Sequence, residues 1–229
     1  MSLFAIGDLH LSLGADKPMD VFGPRWKDHA EKLKKGFSAL GPEDVCVLCG
    51  DISWAADLPG ALEDFRFIEA LPGRKIVLKG NHDYWWSSRA KMNAFFEKNG
   101  ISTVSILHNN FYPYGENAAI CGTKGWFYEQ SRGTEHDKKL IAREILRLEA
   151  SLKAAGGREK YVFLHYPPKY GGYVCREILD LFRQYEVKMC CSGHLHADSL
   201  RLAFNGWVEN TRYLCVSGDG IDFRPCKIL

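Results

Sequence analysis

Five short apolar runs in this 229-residue chain each stop at polar residues of one kind, and that repetition constrains the fold more than any other feature. Ser2 to Ile6 leads into Gly7-Asp8-Leu9-His10, Val45 to Cys49 into Gly50-Asp51, and Lys75 to Lys79 into Gly80-Asn81-His82-Asp83. Tyr161 to Leu164 ends in His165, and Val187 to Ser192 in Gly193-His194-Leu195-His196. Short apolar runs without polar alternation predict strands buried on both faces, here Ser2 to Ile6, Val45 to Leu48, Lys75 to Leu78, Tyr161 to Leu164 and Val187 to Cys191. Between them apolar residues recur at helical spacing over Trp26 to Leu40, Leu58 to Ala70, Ser87 to Lys98, Thr134 to Ala155 and Val174 to Tyr185. The fourth of these is expected to open on a capping threonine, Thr134. Strand alternating with helix predicts a layered α/β fold.

Two segments break the alternation. Ile101 to Cys121 and Leu200 to Val216 are β-rich and interrupted by turn residues such as Asn109-Asn110 and Asn205-Gly206, which predicts hairpins at sheet edges. No repeat, low-complexity tract or linker divides the sequence, so a single domain over 1–229 is expected.

Composition excludes several classes. Hydrophobic residues at 46% and charged residues at 25% belong to a folded globular chain. A net charge of +2 supplies no field to draw in a polyanion, so nucleic acid is not an expected partner. Lys32, Lys34 and Lys35 cluster on a predicted helix and read as its solvated face. No apolar run nears the roughly 18 residues of a membrane span, and the N-terminus lacks the pattern of an export signal, so a cytoplasmic location is expected. The eight cysteines are then expected to be reduced. Cys46 and Cys49 have the spacing of a zinc half-site, but no second pair exists, and they read as small core residues.

The chemistry lies at the strand ends. In α/β sheets ligands bind beyond the carboxyl ends of the strands, so five such ends can converge on one crevice. Carboxylate and amide oxygens combine there with imidazoles and no cysteine, a set suited to hard or borderline divalent metals. In Asp8-Leu9-His10 and His194-Leu195-His196 an extended backbone is expected to turn both outer residues to one side and the leucine inward. Five of the eight histidines fall in these motifs, whereas one histidine on an apolar face would read as a satisfied core residue.

These motifs, D-x-H, G-D, G-N-H-[DE], a lone H and G-H-x-H, resemble those of the calcineurin-like metallophosphoesterase superfamily. All five occur in order from Asp8 to His196. The resemblance implies a four-layer α/β/β/α sandwich, two mixed sheets packed face to face with helices outside. It implies two divalent metal ions, manganese first, with iron and zinc also compatible with this donor set. Asp8, His10, Asp51 and His196 would hold one and Asp51, Asn81, His165 and His194 the other, Asp51 bridging. A hydroxide between two cations is a nucleophile at neutral pH, and in-line attack on phosphorus follows. His82, at the rim, would serve the phosphoryl oxygen or the leaving group. Asp83 would orient His82 or else cap the helix that follows.

The implied substrate is a small phosphate ester, with monoester and diester both open. Protein phosphatases of the superfamily carry G-D-x-x-D-R-G and R-G-N-H-E, whereas this chain has Gly50-Asp51-Ile52-Ser53-Trp54-Ala55-Ala56 and Lys79 before Gly80, so the phosphate-clamping arginine is missing. Tyr84, Trp85 and Trp86 offer a stacking platform or ordinary core aromatics. Arg25, Trp26, Lys169 and Tyr170 are further rim candidates. A non-catalytic scaffold predicts lost ligands and a nuclease predicts a basic stripe, neither of which is present.

Overall fold

The computed structural model describes residues 1–126 and 134–229. In chain order the elements are β1 (Leu3–Ile6), α1 (His29–Phe37), β2 (Val45–Leu48), α2 (Leu62–Ala70), β3 (Arg74–Val77), α3 (Arg89–Lys98) and β4 (Val104–Ile106). They continue with β5 (Phe111–Tyr114), β6 (Ala118–Thr123), α4 (Glu135–Ala154), β7 (Glu159–Leu164), β8 (Lys169–Tyr170), β9 (Tyr173–Val174) and α5 (Arg176–Gln184). Last come β10 (Met189–Ser192), β11 (Gly206–Val208), β12 (Thr211–Cys215) and β13 (Cys226–Lys227).

One sheet runs β13-β1-β2-β3-β4 and the other β11-β12-β10-β7-β6-β5. Interior neighbours pair in parallel, with β13, β5 and β11 added antiparallel. Both sheets are therefore mixed. The period of two along each strand sorts the apolar residues into separate cores. Leu3, Ala5, Val45 and Val47 of the first sheet pack against Ile120, Phe163, Met189 and Cys191 of the second. Ile6, Cys46 and Leu48 face the other way, onto Leu33 and Phe37 of α1, Phe65 of α2 and Phe96 of α3. On the far side Val162, Leu164 and Cys190 meet Leu148 of α4 and Phe182 of α5. These layers form the expected four-layer α/β/β/α sandwich.

The same alternation settles the Cys46-Cys49 spacing. Three residues apart on extended chain, the two thiols point to opposite faces, Cys46 into the helix-side core and Cys49 into the core between the sheets. All eight cysteines are free.

Several boundaries differ from the sequence reading. Pro24–Trp26 forms a separate 3-10 turn, and Asp28 at φ 54° breaks the chain before α1 begins. The Ile101 to Cys121 segment is not one hairpin: β4 pairs in parallel with β3, and Asn109, at φ 64°, carries the chain across to the other sheet. The hairpin turn lies instead between Tyr114 and Ala118. Likewise Asn205-Gly206 precedes a hairpin that turns between Val208 and Thr211, and Leu200 lies in a 3-10 segment. Thr134 does cap α4, in a reciprocal capping box with Asp137. Among the described residues no helix is long and apolar enough to cross a membrane.

Candidate metal centre

The strand ends turn sharply. Asp8, His10, Asp51 and His194 all have left-handed backbones, at φ 55°, 45°, 53° and 72°. The expected extended D-x-H segment is thus corrected: the pair shares a side because both residues sit in a tight turn, with Leu9 buried beneath. Left-handed conformations cost about 1–3 kcal/mol each in a non-glycine residue and persist only where surrounding structure enforces them. Here the loops after β1 and β2 lock together, Asp8 N donating to Gly50 O at 3.0 Å and His10 N to Asp51 O at 2.9 Å. Glycine is required beside them. A Cβ on Gly80 would overlap Asp51, and one on Gly193 would lie 2.6 Å from Asp8 Oδ2.

The turns bring the predicted ligands together. Asp8, Asp51 and His165 place one ligand atom each within 4.8 Å of one another. Asp51 Oδ2 lies 3.7 Å from His10 Nε2 and 3.5 Å from His165 Nε2. Asn81 Oδ1 is 2.7 Å from His165 Nε2 and 3.0 Å from His194 Nδ1. His165 Nδ1 donates to Cys49 O at 3.0 Å, which leaves Nε2 as the lone-pair nitrogen facing Asn81 and Asp51. The Asp8 carboxylate accepts from His194 N at 3.0 and 2.9 Å, and the His196 ring stands 5.4 Å from that of His10. Asp8, His10, Asp51, Asn81, His165, His194 and His196 therefore form one cluster, with the His82 ring 5.7 Å from His10.

Its electrostatics ask for a cation. Burial, reinforced by Asp51, raises the Asp8 carboxyl well above its usual range, and burial raises Asp51 as well. Burial drives His10 well below its usual value and takes His165 and His194 down to about 3. Burial thus favours the neutral imidazoles, which keep their lone pairs. Two atoms facing the centre, His10 Nε2 and Asp51 Oδ2, are buried without a hydrogen-bond partner. Buried polar groups are normally satisfied, so orphaned ligand-type atoms on converging loops fit divalent metal, and the mixed oxygen and nitrogen set fits its chemistry.

Asp83 departs from both roles expected of it. It neither orients His82, whose Nδ1 is buried and unpartnered, nor caps α3, which Ser88 caps. Its carboxylate instead accepts from the N–H groups of Asp51 at 3.0 Å, Gly80 at 2.6 Å, Ile52 at 2.8 Å and Ser53 at 3.3 Å, and from Trp85 Nε1 at 2.9 Å. It ties the G-D loop to the G-N-H loop. Burial and the neighbouring Asp51 push it up to about 7 against those donors.

The rim divides similarly. Trp85 is buried against Phe65 and Trp86 is half-buried, so only Tyr84, 64% exposed and 6.2 Å from the His82 ring, faces solvent beside the site. Trp26 is buried with its ring 5.5 Å from His10, while Arg25 is exposed. Lys169 lies over Phe204 and Tyr170 packs on Tyr173.

Three neighbours of the site went unmarked in the sequence. Trp54 stacks on His10 at 4.9 Å, approaches His82 at 4.5 Å and carries Lys17 Nζ over its outer face at 3.1 Å. Asp219 accepts from Ala197 N at 2.7 Å and so anchors the loop that bears His196. Lys124, after β6, accepts from His165 N through its carbonyl at 3.1 Å. A signal existed for the last: β6 is a sixth apolar run that ends polar, in Gly122-Thr123-Lys124.

Solved structures share this architecture at low identity. A protein of unknown function from Aquifex aeolicus, AQ665, matches at TM-score 0.52 and 15% identity over 99% of this chain and 95% of its own. The phosphopantetheinyl hydrolase PptH from Mycobacterium tuberculosis matches at TM-score 0.60 and 16% identity over 100% and 95%. TT1561 of Thermus thermophilus matches at 0.50 and 13% over 85% and 81%. At these identities the likeness is one of fold. No curated protein is significantly similar to the chain. The family model described as calcineurin-like phosphoesterase matches residues 1–198, which takes in every strand-end motif from Asp8 to His196, and the chain belongs to that family.

Proposed function

We propose that the chain is a dinuclear phosphohydrolase of small phosphate esters, acting as one domain in a reducing, cytosolic setting. Membership of the family makes it a metal-dependent phosphoesterase; the number of ions, the ligand roles and the substrate are the proposal. The observation that carries it is the position of Asp51 Oδ2, orphaned between His10 Nε2 and His165 Nε2 at 3.7 and 3.5 Å. A carboxylate so placed suits a bridge between two cations. With Asp51 shared, Asp8, His10 and His196 would hold the first ion and Asn81, His165 and His194 the second.

When bound, the two ions supply charge that lowers the pKa of the attacking water and offsets the charge developing on the phosphoryl oxygens. The protein's residues do the rest. Asp51 Oδ1 accepts from His82 N at 2.8 Å, which fixes the His82 backbone against the bridge and holds its ring at the edge of the centre. His82 is half-buried, with Trp54 against its ring, so its orientation is set by packing and not by Asp83. From there its imidazole reaches the phosphoryl or leaving-group oxygen as a proton donor. Trp54 and Trp26 wall the buried His10 ring and shield it from water.

The test is hydrolysis of p-nitrophenyl phosphate and bis-p-nitrophenyl phosphate by metal-stripped protein with Mn2+ returned. Activity that appears with metal, saturates at two ions per chain and falls about 100-fold or more in His82→Ala supports the reading. Full activity at one ion per chain overturns the dinuclear assignment, and an unaffected His82→Ala overturns the role of His82.

A further inference from the structure

A cleft of about 270 Å³ opens beside the metal centre, and the chemistry proposed above makes no use of it. Lys79, Lys124, Arg143 and Arg147 line it, with Glu144 as the one carboxylate. Glu144 is committed elsewhere: it accepts from Thr123 Oγ1 at 2.6 Å and pairs with Arg147 at 2.5 Å. Among the described residues Lys79, Lys124 and Arg143 have no ion-pair partner. Four cations against one anion leave a concave surface with a net charge of about +3, although the chain as a whole carries only +2.

Its position relates it to the centre. Lys79 directly precedes Gly80-Asn81-His82, and the Lys124 carbonyl accepts from His165 N at 3.1 Å and Tyr166 N at 3.0 Å. The charge of Lys124 is felt at Asp51, His165 and His194. Arg143 is exposed and Arg147 half-buried one helical turn away on α4, where guanidinium forks can close on a tetrahedral oxyanion from the outer wall.

We infer that this cleft is an anion subsite for a second phosphate, so that the substrate is a small molecule carrying two phosphate groups, one cleaved at the metals and one held by Lys79, Lys124, Arg143 and Arg147. The inference rests on the phosphohydrolase reading for the first phosphate, but the subsite itself needs no metal. Leu107, Trp126 and Leu140 also line the cleft, and its four basic side chains select for negative charge.

Calorimetric titration of the metal-free protein with methylenebisphosphonate tests it directly. Saturable binding to one site per chain is expected, weakened about tenfold or more by the double substitution Lys79→Gln, Arg143→Gln, and left intact by Lys34→Gln, Lys35→Gln, which removes the same charge from α1. With Mn2+ restored, the same compound is expected to inhibit p-nitrophenyl phosphate hydrolysis more strongly than inorganic phosphate, with that advantage lost in the cleft variant. No binding by the metal-free wild type, or equal weakening by both double variants, overturns the subsite. Binding that persists in a protein without metal-dependent hydrolysis supports the subsite and sinks the phosphohydrolase reading alone.

Discussion

Asp83 shows how a single side chain can be read correctly for type and wrongly for task. The pattern G-N-H-[DE] places a carboxylate next to the proposed catalytic histidine, and proximity in sequence invites a pairing. Its actual partners are N–H groups of Asp51, Ile52 and Ser53, about thirty positions earlier, together with Gly80 and Trp85. Those donors become available only when β2 and β3 lie side by side, which no local motif encodes. Removing the carboxylate strands several buried N–H groups, each at a cost of about 1–3 kcal/mol. Asp83→Ala is therefore expected to destabilise the protein by at least about 3 kcal/mol in urea unfolding and to weaken Mn2+ binding, because Asp51 N and Gly80 N lose their anchor. Asp83→Asn keeps the shape but turns an amide N–H toward donors, and is expected to fall between wild type and alanine. A loss of kcat with unchanged stability and metal affinity would instead restore the role of orienting His82. That the seven candidate ligands meet in one cluster was legible, by contrast, because each is a ligand-type residue at a strand end. Trp54 and Asp219 were not, since they act through packing and through a loop more than twenty residues away.

Among the elements, strands were easier to read than helix starts. The apolar runs ending at Ile6, Leu48 and Leu164 coincide with strand ends because burial on both faces leaves no polar residue until the chain exits the sheet. Helices α1 and α2 begin later than their apolar spacing predicts, since side chains of 3-10 turns and loops, such as Trp26, also bury against the core. α4 is the exception, and its start is fixed by a local device. Thr134 Oγ1 accepts from Asp137 N at 3.2 Å while Asp137 Oδ2 accepts from Thr134 N at 2.9 Å. Thr134→Ala is expected to cost about 1 kcal/mol, read as a lowered unfolding midpoint at unchanged m-value. Thr134→Asn, another good cap, is expected to recover most of it. The helix carries Arg143, Glu144 and Arg147, so the same alanine variant also tests whether the cleft wall depends on this start: methylenebisphosphonate binding is expected to hold, because these residues lie in the third turn and beyond.

At the scale of the whole molecule, two sheets packed face to face fill the interior with small groups, and here several of them are thiols. Cys46, Cys190 and Cys191 are buried in the cores on either face of the sheets, and Cys121 lies beneath α4. Burial pushes the thiols of Cys46, Cys190 and Cys191 up and raises Cys121 to about 12. In the unfolded chain a thiol ionises near about 8.5. Above that pH the unfolded state releases protons that the folded state retains, so the folded state binds more protons and stability falls as pH rises. The stabilisation is complete below the unfolded value and is lost through the window above it. Each thiol contributes a slope of about 1.4 kcal/mol per pH unit once its unfolded form is ionised, and four together about 5.5. Under reducing conditions, urea unfolding is therefore expected to give a flat stability from about pH 7 to 8 and a steep decline toward about pH 10. Cys46→Ala and Cys190→Val, singly and together, are expected to lower stability at neutral pH but to flatten the alkaline decline stepwise. A decline of the same slope in the double variant would assign it to other groups, such as the buried tyrosine Tyr213, whose hydroxyl burial also raises.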